Sequence, residues 1–205
     1  VAVRNHSNGA KNPHAHLGFE CSLDDAVDAA TVADPLNLYD CCPTSDGASA
    51  AIVASEEVAE ELTDEPIRVT GSGHASGRIG LFQRPSLTGI PATRAAAEEA
   101  YDDAGVEVED IEFAEVHDCF SIAELLAYED LGFCDKGDGG EYIESGATLP
   151  DGECPVNLSG GLKSKGHPIG ATGTGQVVEV FKQLRGEADE RQVDGLGRGL
   201  SHNVG

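Results

Sequence analysis

Residues 157–175 constrain this chain more than any other stretch. They read Asn-Leu-Ser-Gly-Gly-Leu-Lys-Ser-Lys-Gly-His-Pro-Ile-Gly-Ala-Thr-Gly-Thr-Gly, six glycines in nineteen residues, after a short apolar run and before a helical pattern. That order predicts a strand, a glycine loop and a helix. Glycine lets a backbone approach a ligand closely and take positive φ, and proline has a fixed φ, so His167, between Gly166 and Pro168, is an aimed imidazole. A helix starting near Ala171 turns its positive end toward the loop, which disfavours imidazolium and keeps His167 neutral, able to accept a proton or donate a hydrogen bond. The bland alternative is a glycine-rich turn with a chance histidine. A second stretch upstream decides between them.

There, residues 111–116 read as a strand that runs into His117-Asp118-Cys119-Phe120, and Ser121-Ile122-Ala123-Glu124 has the form of a capping box with Phe120 and Leu125 as a hydrophobic staple. The helix expected over 122–131 stops at Gly132. Pro91 suits a first helical turn, and the alanine-rich run 92–104 continues it to Gly105. Residues 67–71 and 154–158 are strand-like, and 175–185 places Val177, Val178, Phe181 and Leu184 on one helical stripe. Strands alternating with helices predict an open α/β layer, whose sites gather at the carboxyl ends of strands. His117, Cys119, His167 and Asn203 each fall just after a strand or near the end of one, which predicts one shared pocket. Nearer the start, 1–34 is polar and turn-punctuated, with a short helical pattern over 22–31 that has Asp24 and Asp25 in its first turn; it is expected to be connecting chain, not core. Residues 40–47 are turn chemistry, 48–54 suit a strand buried on both faces, and the acidic run 56–64 closes at Pro66.

The chemistry follows from the residue types. Cys119 precedes a helix N-terminus, where the dipole is expected to lower a thiol pKa from about 8.5 toward neutrality, so it can serve as a base. A carbon acid beside a thioester carbonyl needs such a base together with donors that hold the enolate oxygen, and His167 with His117 can supply these. The competing reading of Cys119 is a small buried hydrophobe. Asp118 is expected to cap or orient.

The string N-x-x-G-G-x-x-x-x-G-H-P-x-G-x-T-G resembles the C-terminal signature of the thiolase superfamily. His117-Asp118-Cys119-Phe120 resembles the variant found in its sterol-carrier-type and archaeal branch, where many thiolases carry Asn-Glu-Ala-Phe. Leu200-Ser201-His202-Asn203-Val204-Gly205 lies where others carry Cys-x-Gly, with Asn203 in the cysteine's place. The resemblance implies a layered αβα thiolase fold with a mixed sheet. It implies that residues 1–64 are the end of the N-terminal domain with a remnant of its loop domain, and that 65–205 are the C-terminal domain without its last strand. In catalysis, His167 would activate an acyl-accepting cysteine and help bind the thioester oxygen, and His117 would stand where an asparagine positions a water. Cys119 would move the second proton, and Gly205 would present a backbone N–H to the acyl carbonyl. Substrates would be coenzyme A thioesters, acetyl-CoA among them, with no permanently bound cofactor. No stretch matches the block that carries the nucleophile and no methionine occurs, so the chain is expected to be the C-terminal half of a thiolase, with the N-terminal half as partner in a homo-oligomer, dimer or tetramer.

Net charge −24, from 37 acidic against 13 basic residues, repels nucleic acid. Such a surface is stable where salt screens its self-repulsion, which points to a halophilic, and on the resemblance haloarchaeal, cytoplasm. No apolar run is long enough to span a membrane. The six cysteines form no C-x-x-C pair and His6, His14 and His16 lack further ligands at metal spacing, so reduced thiols and no metal are expected. Three functions remain: an acyl-CoA acyltransferase, a non-catalytic subunit or inactive fragment, and a decarboxylating condensing enzyme of ketoacyl synthase type.

Overall fold

The computed structural model describes residues 1–204. Local sequence rules account for most of its helices. Helix α1 spans Ala2–Ala10 and α2 spans Leu23–Val27; Ser22 and Asp25 close a reciprocal cap on α2. A small antiparallel pair, β1 (Thr31–Ala33) and β2 (Leu36–Asn37), precedes the acidic α3 (Glu56–Leu62). Helix α4 (Pro91–Ala104) starts on its proline and stops at Gly105, as expected. After β3 (Phe113–Glu115) come α5 (Ser121–Leu131), α6 (Gly139–Glu144), α7 (Gly161–Ser164), α8 (Thr172–Arg185) and β4 (Gly199–Ser201).

The platform under the site is a parallel ladder. Strand β3 pairs with β4, and Ala114 bridges to Val156 on its other side. The expected strand at 154–158 is thus reduced to one bridge, flanked by hydrogen bonds from Ala114 N to Pro155 O and from Asn157 N to Ala114 O, both 2.9 Å. Helices α4 and α5 cover one side, burying Ala97, Ala127, Tyr128 and Leu131 against Ala114, Val116 and Val156; α8 lies against β3 and β4. This is the α/β arrangement expected, with less sheet than the pattern suggested.

Four local expectations are corrected. First, α1 is core and not connecting chain: Asn5, His6 and Asn8 are buried, and the helix packs on α7. Its Gly9 meets Gly160 so closely that a Cβ on Gly160 would lie 2.6 Å from the Gly9 Cα, and polar side chains dominate this face because they bond to the glycine loop. Second, Ser121 and Glu124 form no capping box. Phe120 occupies the cap position without a side-chain bond, and Glu124 turns inward, where Asn5 and Asn157 each donate to it at 2.7 Å and the Tyr128 hydroxyl donates as well. Third, residues 48–54 and 67–71 lie in no strand; Ile52 and Val53 are 91% and 85% exposed. Apolar patterning predicts burial, but among the described residues no neighbouring strand lies beside either segment to pair with it. Fourth, α8 buries Thr172, Gln176, Glu179 and Gln183, and its apolar stripe faces outward, with Val177 and Phe181 about two-fifths exposed. The inner side chains find polar partners instead. Gln176 donates to the His202 carbonyl at 3.0 Å, and Glu179 holds the buried Arg191 guanidinium at 3.0 Å.

Candidate active site

The loop expected from the sequence is built as a clamp around Asn157 and Asp118. Asn157, fully buried at φ 53°, accepts from Val116 N–H at 2.8 Å and donates to Glu124. Asp118, also fully buried, accepts from Leu162 N–H at 2.6 Å, Lys163 N–H at 3.2 Å and Asn5 at 2.8 Å, so it caps α7 and ties the loop to the segment after β3. Lys163 buries its ammonium against the carbonyls of Asp40 (2.6 Å) and Tyr39 (3.2 Å). Residues 16–17 grip the far side of the loop, with His16 N donating to Lys165 O and Leu17 N to Ser164 O, each at 2.9 Å.

That clamp delivers His167. Its N–H donates to Ser45 Oγ at 3.1 Å, and Thr44 bridges to it in parallel. The ring meets the His117 ring edge to face, centroids 5.1 Å apart and planes at 90°. His167 Nδ1 lies 2.7 Å from the buried Thr172 Oγ1, which also donates to Pro168 O at 3.0 Å. With the hydroxyl hydrogen on that carbonyl, the ring donates from Nδ1 and Nε2 is left as the basic nitrogen. His117 Nδ1 lies 2.9 Å from Asn203 Oδ1, an acceptor, which assigns the proton to Nδ1; the 3.4 Å approach of Val204 N to the same nitrogen is the weaker contact. His117, His167 and Asn203 therefore lie together, and Cys119 follows His117 by two residues in the chain. Gly205 lies outside the described residues.

Both imidazoles are neutral at neutral pH. Burial pushes His167 below the ordinary histidine range, helped by His117 and Lys165, and burial does the same to His117 against its bond to Asn203. Neutrality is expected from the sequence through a helix dipole, but here burial carries it, with His117 and Lys165 adding to it at His167. Cys119 goes the other way from expectation. Burial, and then the Asp118 carboxylate, raise its thiol above the ordinary value, outweighing the backbone N–H of Phe120. It rests as a thiol, a proton donor first and a base only after that proton has left. His202, bonded through Nε2 to Thr93 Oγ1 at 3.1 Å, is lowered to about 4 by burial.

Sequence reasoning missed Thr172, Glu115, Asn5 and Asn157 as site residues; of these only Asn157 and Thr172, both fixed positions of the loop string, carried a signal. Glu115 is 1% exposed, accepts from Ser159 N at 2.9 Å and Ser159 Oγ at 2.5 Å, and is raised to about 7 by burial and by Glu179. A carboxyl held above its unfolded value stabilises the fold most at low pH, and that stability falls as pH rises from about 4.5 to about 7. Thermal melts should show this as a Tm difference between wild type and Glu115→Gln that grows in the variant's favour across that window and is flat above it; a pH-independent difference would contradict the assignment. Glutamine keeps both Ser159 contacts by its own carbonyl and amide.

A cavity of about 650 Å³ opens beside the 165–168 turn, lined among others by His14, His16, Ser45, Lys165 and Thr172. His117, Cys119 and His167 do not line it. His6 and His16 are not paired as ligands: His6 Nδ1 meets Phe19 O at 3.1 Å, and His16 Nδ1 meets Ser45 Oγ at 2.9 Å. No helix among the described residues is long and apolar enough to cross a membrane.

The model of the thiolase C-terminal domain-like family matches residues 73–205, nearly two thirds of the chain. The chain belongs to the thiolase family. It is 50% identical over all its 205 residues to acetyl-CoA acetyltransferase of Methanothermobacter thermautotrophicus, covering 54% of that protein, and 41% identical to sterol carrier protein 2 of Rattus norvegicus, covering 38%. Among solved structures, the Ltp2-ChsH2(DUF35) aldolase superposes with a TM-score of 0.88 at 27% identity, over 98% of this chain and 53% of that one. This thiolase chain thus spans about half the length, or less, of the curated relatives it matches, and corresponds to their C-terminal half.

Proposed function

We propose that this thiolase chain supplies the acid–base half of acyl transfer between coenzyme A thioesters, either acetoacetyl-CoA formation or 3-ketoacyl-CoA thiolysis, with the nucleophilic cysteine on a half outside these 205 residues. The observation that carries the reading is the perpendicular pair of neutral histidines at a thiolase loop, with a resting thiol two residues after His117. His167 Nε2 takes the proton of the nucleophilic cysteine, which attacks the thioester carbonyl. The protonated His167 donates toward the oxygen that gains charge, while His117, whose one hydrogen goes from Nδ1 to Asn203, presents a bare Nε2 that accepts from a water and so orients that water's other hydrogen toward the same oxygen. Cys119, a thiol at rest, protonates the departing coenzyme A sulfur. The thiolate so formed removes the Cα proton of the second thioester, and the carbanion attacks the acyl-enzyme. A raised thiol pKa suits this order, because it makes the later thiolate a stronger base.

Several features support an N-terminal partner half and a dimeric or tetrameric complete enzyme: the outward stripe of α8, the exposed apolar segment 48–54, and the open side of the site, where Phe120 and Ile122 are exposed. A halophilic cytoplasm goes with the acidic surface. One finding favours a second reading: the aldolase superposition makes carbon–carbon cleavage without an acyl-cysteine the alternative, using the same base. An assay of the isolated chain with acetyl-CoA should give no turnover, and mixing with a nucleophile-bearing thiolase half should restore it. Robust acyl transfer by the isolated chain would overturn the proposal.

A further inference from the structure

Two cysteines face each other two residues past His117. Cys41 and Phe120 are antiparallel bridge partners, and Cys42 N donates to Cys119 O at 3.0 Å. A hydrogen bond one residue beyond that bridge makes Cys42 and Cys119 the next facing pair, with Cα atoms about 5.5 Å apart and side chains on one face. A disulfide bridges Cα separations of about 4.4–6.8 Å. Cys41 is excluded from competing, because neighbours in an extended chain point to opposite faces; its backbone is extended (φ −107°, ψ 145°) and its Sγ meets Asn37 O at 3.7 Å. Cys42 and Cys119 are both free and half-buried, whereas Cys21 and Cys154 are buried.

We propose that Cys42 and Cys119 form a reversible thiol–disulfide site, oxidised by a low-molecular-weight disulfide, and that closing the bond removes the proton-transfer thiol. The cross-link rests on backbone register alone; only its effect on turnover rests on the reading of Cys119 above. One cysteine thiolate attacks the small disulfide, forms a mixed disulfide and releases one small thiol. The other cysteine thiolate then displaces the second small thiol. Two protons and two electrons leave the protein, and the small disulfide is reduced to two thiols. Burial raises both thiols, with Cys119 adding to the rise at Cys42 and Asp118 at Cys119, so the exchange is slow at neutral pH and speeds up as pH rises.

The test treats the folded 205-residue chain with oxidised glutathione at pH 8 and reads intact mass and peptide maps. The expected product is lighter by about 2 Da, the mass of two hydrogens, with the Cys42 and Cys119 peptides joined, and it reverts in dithiothreitol. Cys41→Ser should still cross-link, and Cys42→Ser should stop at a glutathione adduct on Cys119. Circular dichroism of each variant establishes that it is folded. A Cys41–Cys42 bond, or stable glutathione adducts on both Cys42 and Cys119 in the folded wild type, would overturn the proposal. In the assembled enzyme, oxidation should lower turnover at least tenfold and dithiothreitol should restore it; Cys42→Ser should lose turnover as well, with a glutathione adduct on Cys119 in place of the loss of two hydrogens, so the mass separates the two. A cross-link without loss of turnover would leave the disulfide standing and remove Cys119 from the reaction.

Discussion

Cys119→Ser in the complete enzyme is expected to lower overall turnover by about 10²–10⁴-fold while an acyl-enzyme accumulates. The two halves of that outcome come from one property. A serine hydroxyl has nearly the shape of the thiol but is far too weak an acid and base to protonate a leaving sulfur or to remove a Cα proton at neutral pH. The first half-reaction tolerates its absence, because a thiolate is a far weaker base than the alkoxide of the tetrahedral intermediate and leaves without being protonated. Carbanion formation does not. Acylation should therefore survive, and a mass spectrum of the quenched enzyme should show an acyl adduct in higher yield than in wild type under turnover. Full turnover in the variant would move the proton-transfer role elsewhere, with His117 and His202 next to be tested.

His167→Ala should fail one step earlier. The imidazole is assigned both the proton of the nucleophile and a hydrogen bond to the thioester oxygen. General base and oxyanion contributions are each about 10²–10³-fold or more, so their joint loss should depress acylation by at least about 10⁴-fold. No acyl-enzyme should accumulate, in contrast to the Cys119 variant. The loop around His167 is held by Asp118, Asn157 and Lys163 and not by the imidazole, so the variant should melt close to wild type. A His167 variant that still forms acyl-enzyme at the wild-type rate would show that the nucleophile is activated by another group.

The sequence exposed the part of the site that depends on local rules. Gly166 and Pro168 flanking His167, the helix stop at Gly132 and the strand before His117 are all short-range features, and the loop string is specific enough to name a family. What it hid depends on contacts between residues far apart. Asn5 reads as one polar residue in a polar stretch, yet it bonds to Asp118 and Glu124, more than a hundred residues away. Glu124 has the spacing of a capping residue, and nothing local says that Asn5 and Asn157 compete for it. The apolar stripe of α8 was legible as a stripe, but stripes announce only that something will cover them. Here the residues facing β3 and β4 are Gln176, Glu179 and Gln183, because Arg191 and the His202 carbonyl need partners. The Cys119 thiol was misjudged for a related reason: a helix start is visible in sequence, and burial beside Asp118 is not.

The location of the acyl group tests the central claim most directly. The assembled enzyme is mixed with acetyl-CoA, quenched in acid, digested and mapped by mass. An acetyl group on a cysteine of the nucleophile-bearing half, with Cys21, Cys41, Cys42, Cys119, Cys134 and Cys154 unmodified, is the predicted result. Acetylation of any of those six cysteines, or turnover with no acyl-enzyme at all, would contradict it.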